Sequence, residues 1–244
     1  MVKRVVLNRS MNVAAWFLDA GLDLVGLFLP RRCAACDGIL YRAEQGICLT
    51  CASDLPLLRS HDDPENRVER LFHGKVQLAS ASAFLIFTKG GKVQRMLHRL
   101  KYRGDKEVGL ELGRRMAEDV FKSPRFATVD LLMAVPLHPR REKQRGYNQA
   151  QVLVDGMASA WPVPTAQNGL LRMAETRTQT RKGRLDRWRN VKEAFHVGEP
   201  GVLAGKHILL VDDVVTTGAT MEGCVRALQE VPQVRVSILA CACA

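Results

Sequence analysis

No apolar run in this sequence is long and unbroken enough to span a membrane. The one stretch that approaches it, Met11 to Leu29, follows Lys3 and Arg4 and is interrupted by Asp19 and Asp23, each of which costs about 2.5–3.5 kcal/mol at a bilayer centre. No small-residue cleavage site follows that stretch, so no secretory leader is expected, and a reducing, cytoplasmic compartment is expected with it. Internal repeats and low-complexity tracts are lacking as well, and the fold has to be argued from single elements. Acids are scarce: 25 Asp and Glu stand against 36 Lys and Arg, a formal net charge of +11 that favours anionic partners such as phosphates or nucleic acid.

The excess charge is concentrated. Lys89 to Arg103 holds six bases and no acid, Arg140 to Arg145 four bases against Glu142, and Arg172 to Lys192 eight against Glu175 and Asp186. Those stretches carry +15, which leaves the remainder of the 244 residues at about −4. Met11, Ala15, Leu18, Leu22, Val25 and Leu29 recur at helical spacing, with Asn12, Asp19 and Asp23 on a polar stripe. That amphipathic helix can dock on its own domain, on a partner protein or on a membrane surface.

Four of the seven cysteines fall as Cys33-x2-Cys36 and Cys48-x2-Cys51, eleven residues apart. Paired knuckles at this spacing can set four thiolates tetrahedrally around one Zn²⁺. With every ligand position filled by Cys, no position stays open for a substrate, so the metal is structural. Cys224, Cys241 and Cys243 lie in apolar surroundings and read as core thiols.

Residues 1–58 are expected to form the helix and zinc module, 59–75 a linker, and 76–244 the larger domain. Strands at Ser80 to Phe87, Asp130 to Val135, Ile208 to Val211 and Val234 to Ala242 alternate with helices to about Leu100, at Lys106 to Phe121 and at Asn148 to about Ala160. Shorter strand-like pieces at Gly169 to Met173 and Val191 to Val197 flank an Arg-rich loop. The pattern predicts an α/β fold, a parallel sheet with helices on both faces.

The most informative segment is ILLVDDVVTTGAT, Ile208 to Thr220. An apolar strand of the kind buried on both faces ends in Asp212 and Asp213, and ligands of such sheets gather beyond the carboxyl ends of the strands. Thr216, Thr217, Gly218, Ala219 and Thr220 then offer hydroxyls and approachable N–H groups where a helix with Met221, Cys224, Val225 and Leu228 on one face begins. An anion there meets unsatisfied donors and the positive end of the helix dipole. The two carboxylates suit neutral ribose hydroxyls, with Mg²⁺ nearby to offset charge.

This segment resembles the signature of type I phosphoribosyltransferases. The resemblance implies that Asp212 and Asp213 hold the ribose hydroxyls of 5-phosphoribosyl 1-diphosphate (PRPP). It further implies that the turn from Val214 through Thr216, Thr217, Gly218, Ala219 and Thr220 holds the 5′-phosphate. Pro136 to Tyr147 takes the place of the pyrophosphate loop, where Leu137, His138, Arg140 and Arg141 would grip the diphosphate. Thr176 to Phe195 takes the place of the flexible catalytic loop, with Arg177, Thr178, Gln179, Arg184, Arg187 and Asn190 as candidates for stabilising charge on the leaving diphosphate.

Together with the four-Cys knuckle, the motifs K-Y-R-G-D at Lys101 to Asp105, R-G-Y-N-Q at Arg145 to Gln149 and R-x-x-T-x-x-x-R-x-x-R-x-x-N before Phe195 resemble the ComF family over nearly the whole chain. That family includes competence proteins, which implies a cytoplasmic factor handling incoming single-stranded DNA, with a competence-machinery partner for the amino-terminal helix. Lys101, Tyr102, Arg103, Arg145, Tyr147, Arg184, Arg187 and Trp188 mix cations with rings, as single-strand grooves do, although each of the three rings fits a core position equally well. Two function classes stay open: a binding protein for PRPP and DNA, and a transferase of unknown acceptor in which Asp212, Asp213, Arg177, Arg184 and Arg187 serve catalysis. Thr216 stands where 6-oxopurine transferases carry a carboxylate, which counts against hypoxanthine or guanine, and this sequence has no glutamine-hydrolysing domain.

Overall fold

A computed structural model describes residues 30–173 and 194–244. Its centre is a parallel sheet in the order β1-β6-β5-β2, built from β1 (Ser80–Ile86), β2 (Leu131–Ala134), β5 (His207–Val215) and β6 (Arg235–Cys243). β3 (Leu170–Arg172) and β4 (Phe195–Val197) form a separate antiparallel pair. Side chains alternate across the sheet, so Leu209, Val211, Leu239 and Cys241 enter one core while Ile208, Leu210, Ile238 and Ala240 enter the other. Both sets are buried, which is why these strands read as unbroken apolar runs.

The helices are α1 (Leu49–Ser53), α2 (Arg67–Arg70), α3 (Lys92–Tyr102), α4 (Lys106–Val120), α5 (Pro139–Arg145), α6 (Gln149–Ala160), α7 (Pro200–Leu203) and α8 (Ala219–Leu228). One face of the sheet is covered by α3, α4 and α6; α2, α7, α8 and the β3–β4 pair cover the other. On α4 the spacing of Val108, Leu112, Met116 and Val120 puts all four in the first core, fully buried. After β2 the chain leaves toward the first face through α6, and after neighbouring β5 it leaves toward the second through α8. Between the carboxyl ends of β2 and β5 the fold therefore opens a crevice, the place where open α/β sheets bind ligands.

Three elements differ from the sequence expectation. β5 does not end at Val211: pairing with β6 continues through Asp212 opposite Ala240 to Val215 opposite Cys243, while β2 stops at Ala134 opposite Val211. The acids are thus held inside a strand that has lost one neighbour. The basic stretch after Pro136 is a short helix, α5, started by Pro139 with His138 as its cap and stopped by left-handed Gly146. The 59–75 stretch, expected as a linker, packs on the sheet. Val68 and Phe72 are buried in the second core, Asn66 Nδ2 donates to Ala81 O at 2.8 Å, and Glu69 accepts from Ala81 N–H at 3.2 Å and pairs with Arg125 at 2.5 Å. These bonds cover part of the outer edge of β1, which would otherwise present unpaired backbone groups.

The four-Cys module is not a free appendage. Ala34, Ala35, Ile47 and Leu55 share one core with Met96, Leu97 and Val108 of α3 and α4. Arg95 Nε donates to Ala35 O at 2.7 Å, and Arg99 Nη1 to Cys33 O at 3.2 Å. Gly46, at φ +63°, lets the second knuckle lie against α4; a Cβ there would stand 2.7 Å from the Val108 backbone. The amino-terminal helix expected over Met11 to Leu29 lies outside the described residues. Among the described residues no helix is long and apolar enough to cross a membrane.

Candidate functional site

Asp212 and Asp213 occupy the crevice end of β5, and strand alternation sends their side chains to opposite faces. Asp212 Oδ1 accepts the N–H of Asp213 at 2.8 Å, and Asp213 Oδ1 accepts that of Val214 at 2.9 Å. Densely packed protein around Asp212, reinforced by the neighbouring Asp213 carboxylate, pushes its carboxyl well above the ordinary carboxylate range. Asp213 is buried, and Lys101 from the end of α3 forms an ion pair with its Oδ2. Nothing in the local sequence announces that contact, since it joins residues on separate elements.

Beyond the acids, Thr216, Thr217, Ala219 and Thr220 are exposed around a turn closed by Gly218. Gly218 sits in the left-handed region at φ +78° and caps α8, and a Cβ on it would come within 2.9 Å of the Phe72 ring. Glycine is therefore demanded twice, by conformation and by contact. Asp212 and residues 214–221 line a small depression of about 50 Å³, room for a few water-sized oxygens such as those of one phosphate. Phe72, from a stretch with no obvious motif, is the floor of this turn.

Across the crevice, Leu137 and His138 follow β2 at the same sheet edge, where Val135 N–H still bonds Val211 O at 2.8 Å. His138 Nδ1 accepts from Arg140 N–H at 3.2 Å, which is a helix-capping task. Arg140 and Arg141 are exposed on α5. Lys101, Tyr102, Gly104, Arg141, Gln144 and Arg145 line a cavity of about 430 Å³ between α3 and α5. The Arg145 guanidinium lies 5.2 Å from the Tyr102 ring centroid, and Arg103 is exposed nearby. Of the rings among these cations, Tyr147 is half-buried on the core side: it packs against the first core, donates its hydroxyl to Leu100 O and carries Lys106 over its ring at 4.9 Å. Burial raises its phenol pKa. Its role here is to fix α3 against the 146–149 turn.

The four thiols of Cys33, Cys36, Cys48 and Cys51 lie within 4.8 Å of one another, and Cys36 and Cys48 Sγ are 3.9 Å apart. A tetrahedral Zn²⁺ with bonds of about 2.3 Å sets sulfurs about 3.8 Å apart, so the donor set fits that ion. Cys33 Sγ accepts N–H groups from Ala35 at 3.4 Å and Cys48 at 3.3 Å. Burial alone would raise the Cys33 thiol, but the backbone donors of Cys48, Ala35 and Cys36 outweigh it and bring it to about 7. Glu44, unnoticed in the sequence, braces the second knuckle by accepting Tyr41 and Leu49 N–H, each at 2.7 Å.

Arg177, Thr178, Gln179, Arg184, Arg187, Trp188 and Asn190 lie outside the described residues.

Residues 176–243 match the family model of the phosphoribosyl transferase domain. The DNA utilization protein YhgH of Salmonella typhi is 34% identical over 133 residues, 52% of this chain and 56% of that protein. The chain thus spans little more than half the length of these relatives. Competence protein F of Haemophilus influenzae is 26% identical over 203 residues, 80% of this chain and 89% of that protein. Among solved structures, the glutamine PRPP amidotransferase of B. subtilis is similar at a TM-score of 0.41 and 20% identity, over 59% of this chain and 30% of that one. A crevice with paired acids and a Gly-closed turn and a cluster of four thiols stand beside these sequence matches: the chain is similar to competence protein F and to YhgH, with a four-cysteine cluster ahead of a stretch, 176–243, that matches the phosphoribosyl transferase domain.

Proposed function

We propose that the protein binds PRPP with Mg²⁺ in the β2–β5 crevice and works in the cytoplasm as a single-stranded-DNA-handling factor in DNA uptake or use. One observation carries the first half: two adjacent carboxylates and a glycine-closed, hydroxyl-rich turn meet where the chain leaves β2 and β5 toward opposite faces. Asp212 and Asp213 accept from the ribose hydroxyls, Thr216 to Thr220 hold the 5′-phosphate, and Leu137, His138, Arg140 and Arg141 face the diphosphate. Mg²⁺ supplies charge compensation between diphosphate and carboxylates. Lys101 now neutralises Asp213, so an entering ribose displaces that amine. The DNA half is supported by the names of the relatives, competence protein F and DNA utilization protein, and by the basic edge of α3 and α5. Cys33, Cys36, Cys48 and Cys51 would hold a structural Zn²⁺ that fixes the two knuckles to each other, and the amphipathic pattern of residues 11–29 would suit a protein partner.

A second reading, transfer of the phosphoribosyl group to an acceptor, is favoured by the domain match over 176–243, which includes the acid pair. In it a nucleophile displaces diphosphate at the ribosyl carbon and the basic side chains stabilise the departing charge.

Calorimetric titration of PRPP and Mg²⁺ into the full chain tests the proposal. Wild type should bind, and the Asp212→Asn, Asp213→Asn double variant should not, while its circular dichroism stays unchanged. Equal binding by both overturns the site. Diphosphate release, screened across bases and amines, separates the second reading from the first.

A further inference from the structure

Helix α3 presents two adjacent stripes on its exposed side. Arg95, Arg99 and, at the C-cap, Arg103 recur every fourth residue, and beside them the rings of His98 and Tyr102 meet at a 45° tilt with centroids 4.9 Å apart. A cavity flanks the rings on each side. Toward the zinc module, Cys36, Asp37, Arg95, His98, Arg99 and Arg103 border a space of about 600 Å³. Toward the sheet edge lies the space of about 430 Å³ that Lys101, Arg141 and Arg145 border, with Tyr102 as its wall. Tyr102 is 65% exposed, its ring covered in part by His98 and by the Arg145 guanidinium. Carboxylates near this surface are already engaged: Asp37 and Asp105 pair with Arg99, and Asp213 with Lys101.

We infer that this face of α3 is a track for single-stranded nucleic acid, running from the first cysteine knuckle over the His98–Tyr102 rings to the acid pair. The inference rests on the single-strand half of the proposed function and gives it a location. An exposed ring between two cationic hollows matches the chemistry of an unpaired strand: a base offers a face to Tyr102, and the phosphates on either side of it enter the hollows. A duplex hides its base faces in the stack and cannot use the ring. An acidic peptide could use the cations but gains nothing from the ring. Lys101 ties the track to the crevice, because its amine pairs with Asp213 while the residue borders the second hollow. The zinc module contributes by position, since its first knuckle forms the far wall and is held there by Arg95 and Arg99.

The test is fluorescence anisotropy of the full chain with a labelled single-stranded DNA oligonucleotide over a series of salt concentrations, with RNA of the same sequence, duplex DNA and poly-glutamate as competitors. Tyr102→Ala should weaken binding about 5- to 150-fold, the 1–3 kcal/mol of one base–ring stack, and leave the salt slope unchanged. Tyr102→Phe should retain wild-type affinity. Arg103→Ala should reduce the slope of log affinity against log salt by about 0.7, the loss of one phosphate contact. Unlabelled single strands should compete best, and the ratio of DNA to RNA competition states which sugar the track prefers. If wild type binds no single strand, both the track and the single-strand half of the proposed function fall. If wild type binds but Tyr102→Ala and Arg103→Ala both behave like it, the track alone falls. Equal competition by duplex or poly-glutamate overturns the role of the ring. PRPP titration of Tyr102→Ala should match wild type, so the crevice is judged separately.

Discussion

Replacing Asp212 by Asn should stabilise the ligand-free protein while removing its ribose-phosphate binding. Asp212 Oδ1 accepts the Asp213 N–H at 2.8 Å, and an amide oxygen at the same position accepts the same bond, so the local backbone is preserved. What is lost is a carboxyl held well above its usual range, chiefly by burial and then by the Asp213 carboxylate. Its folded pKa lies above the unfolded value, so between the two the folded chain keeps a proton that the unfolded chain has released. Stability therefore falls as pH rises through that window, by about 1.4 kcal/mol per pH unit. Asn carries no such dependence. The gain of the variant over wild type should thus be near zero below about pH 4 and reach roughly 1–3 kcal/mol at neutral pH, the cost of one desolvated polar group. Urea denaturation across a pH series reads it as a higher midpoint at unchanged slope. A variant less stable than wild type at neutral pH, or a gain independent of pH, would mean that the acid supports the scaffold, and the argument for a site would fail.

The other predictions concern the turn, the metal and the foot of the sheet. Gly218→Ala should cost about 1–3 kcal/mol for its left-handed backbone, with added strain against Phe72, and should weaken PRPP binding in the same titration; an unchanged affinity would show that the turn geometry is dispensable. Chelation should extract one metal ion per chain by atomic absorption and lower the thermal midpoint, because the knuckles share a core with α3 and α4; a midpoint indifferent to chelator would contradict a structural metal. His207 is buried between Thr128 Oγ1 at 2.9 Å and Ser237 Oγ at 2.8 Å, and burial, then Arg235, lowers its pKa. The folded ring declines a proton that the unfolded chain takes up below about pH 6.5, so stability should fall on acidification through that region, and His207→Gln should flatten this component. Equal pH dependence in the two proteins would exclude the histidine as its source.

Much of the fold was readable because each signal was local. Doubly buried strands leave unbroken apolar runs such as Ile208 to Val211, and the helical face of α4 follows from the spacing of Val108, Leu112, Met116 and Val120. The cysteine cluster followed from two short spacings. The end of β5 was hidden because carboxylates look like a strand terminus, whereas the partner that extends the strand, β6, comes more than twenty residues later. Helix α5 has Pro139 and Gly146 as boundary signals but no buried side chain, so no apolar period marks it. In the 59–75 stretch the acids masked Val68 and Phe72, and Glu69 is tolerated inside because Arg125 pairs with it. Contacts such as Lys101 with Asp213, or Phe72 beneath Gly218, join distant segments and leave no periodic trace.

A crystal of the full chain grown with PRPP and Mg²⁺ tests the central claim most directly. The account predicts ribose hydroxyls within hydrogen-bonding distance of Asp212 and Asp213, the 5′-phosphate on the backbone of Thr216 to Thr220, and Lys101 displaced from Asp213. Density for the ligand elsewhere, or a crevice still closed by the Lys101–Asp213 pair at saturating ligand, would contradict it.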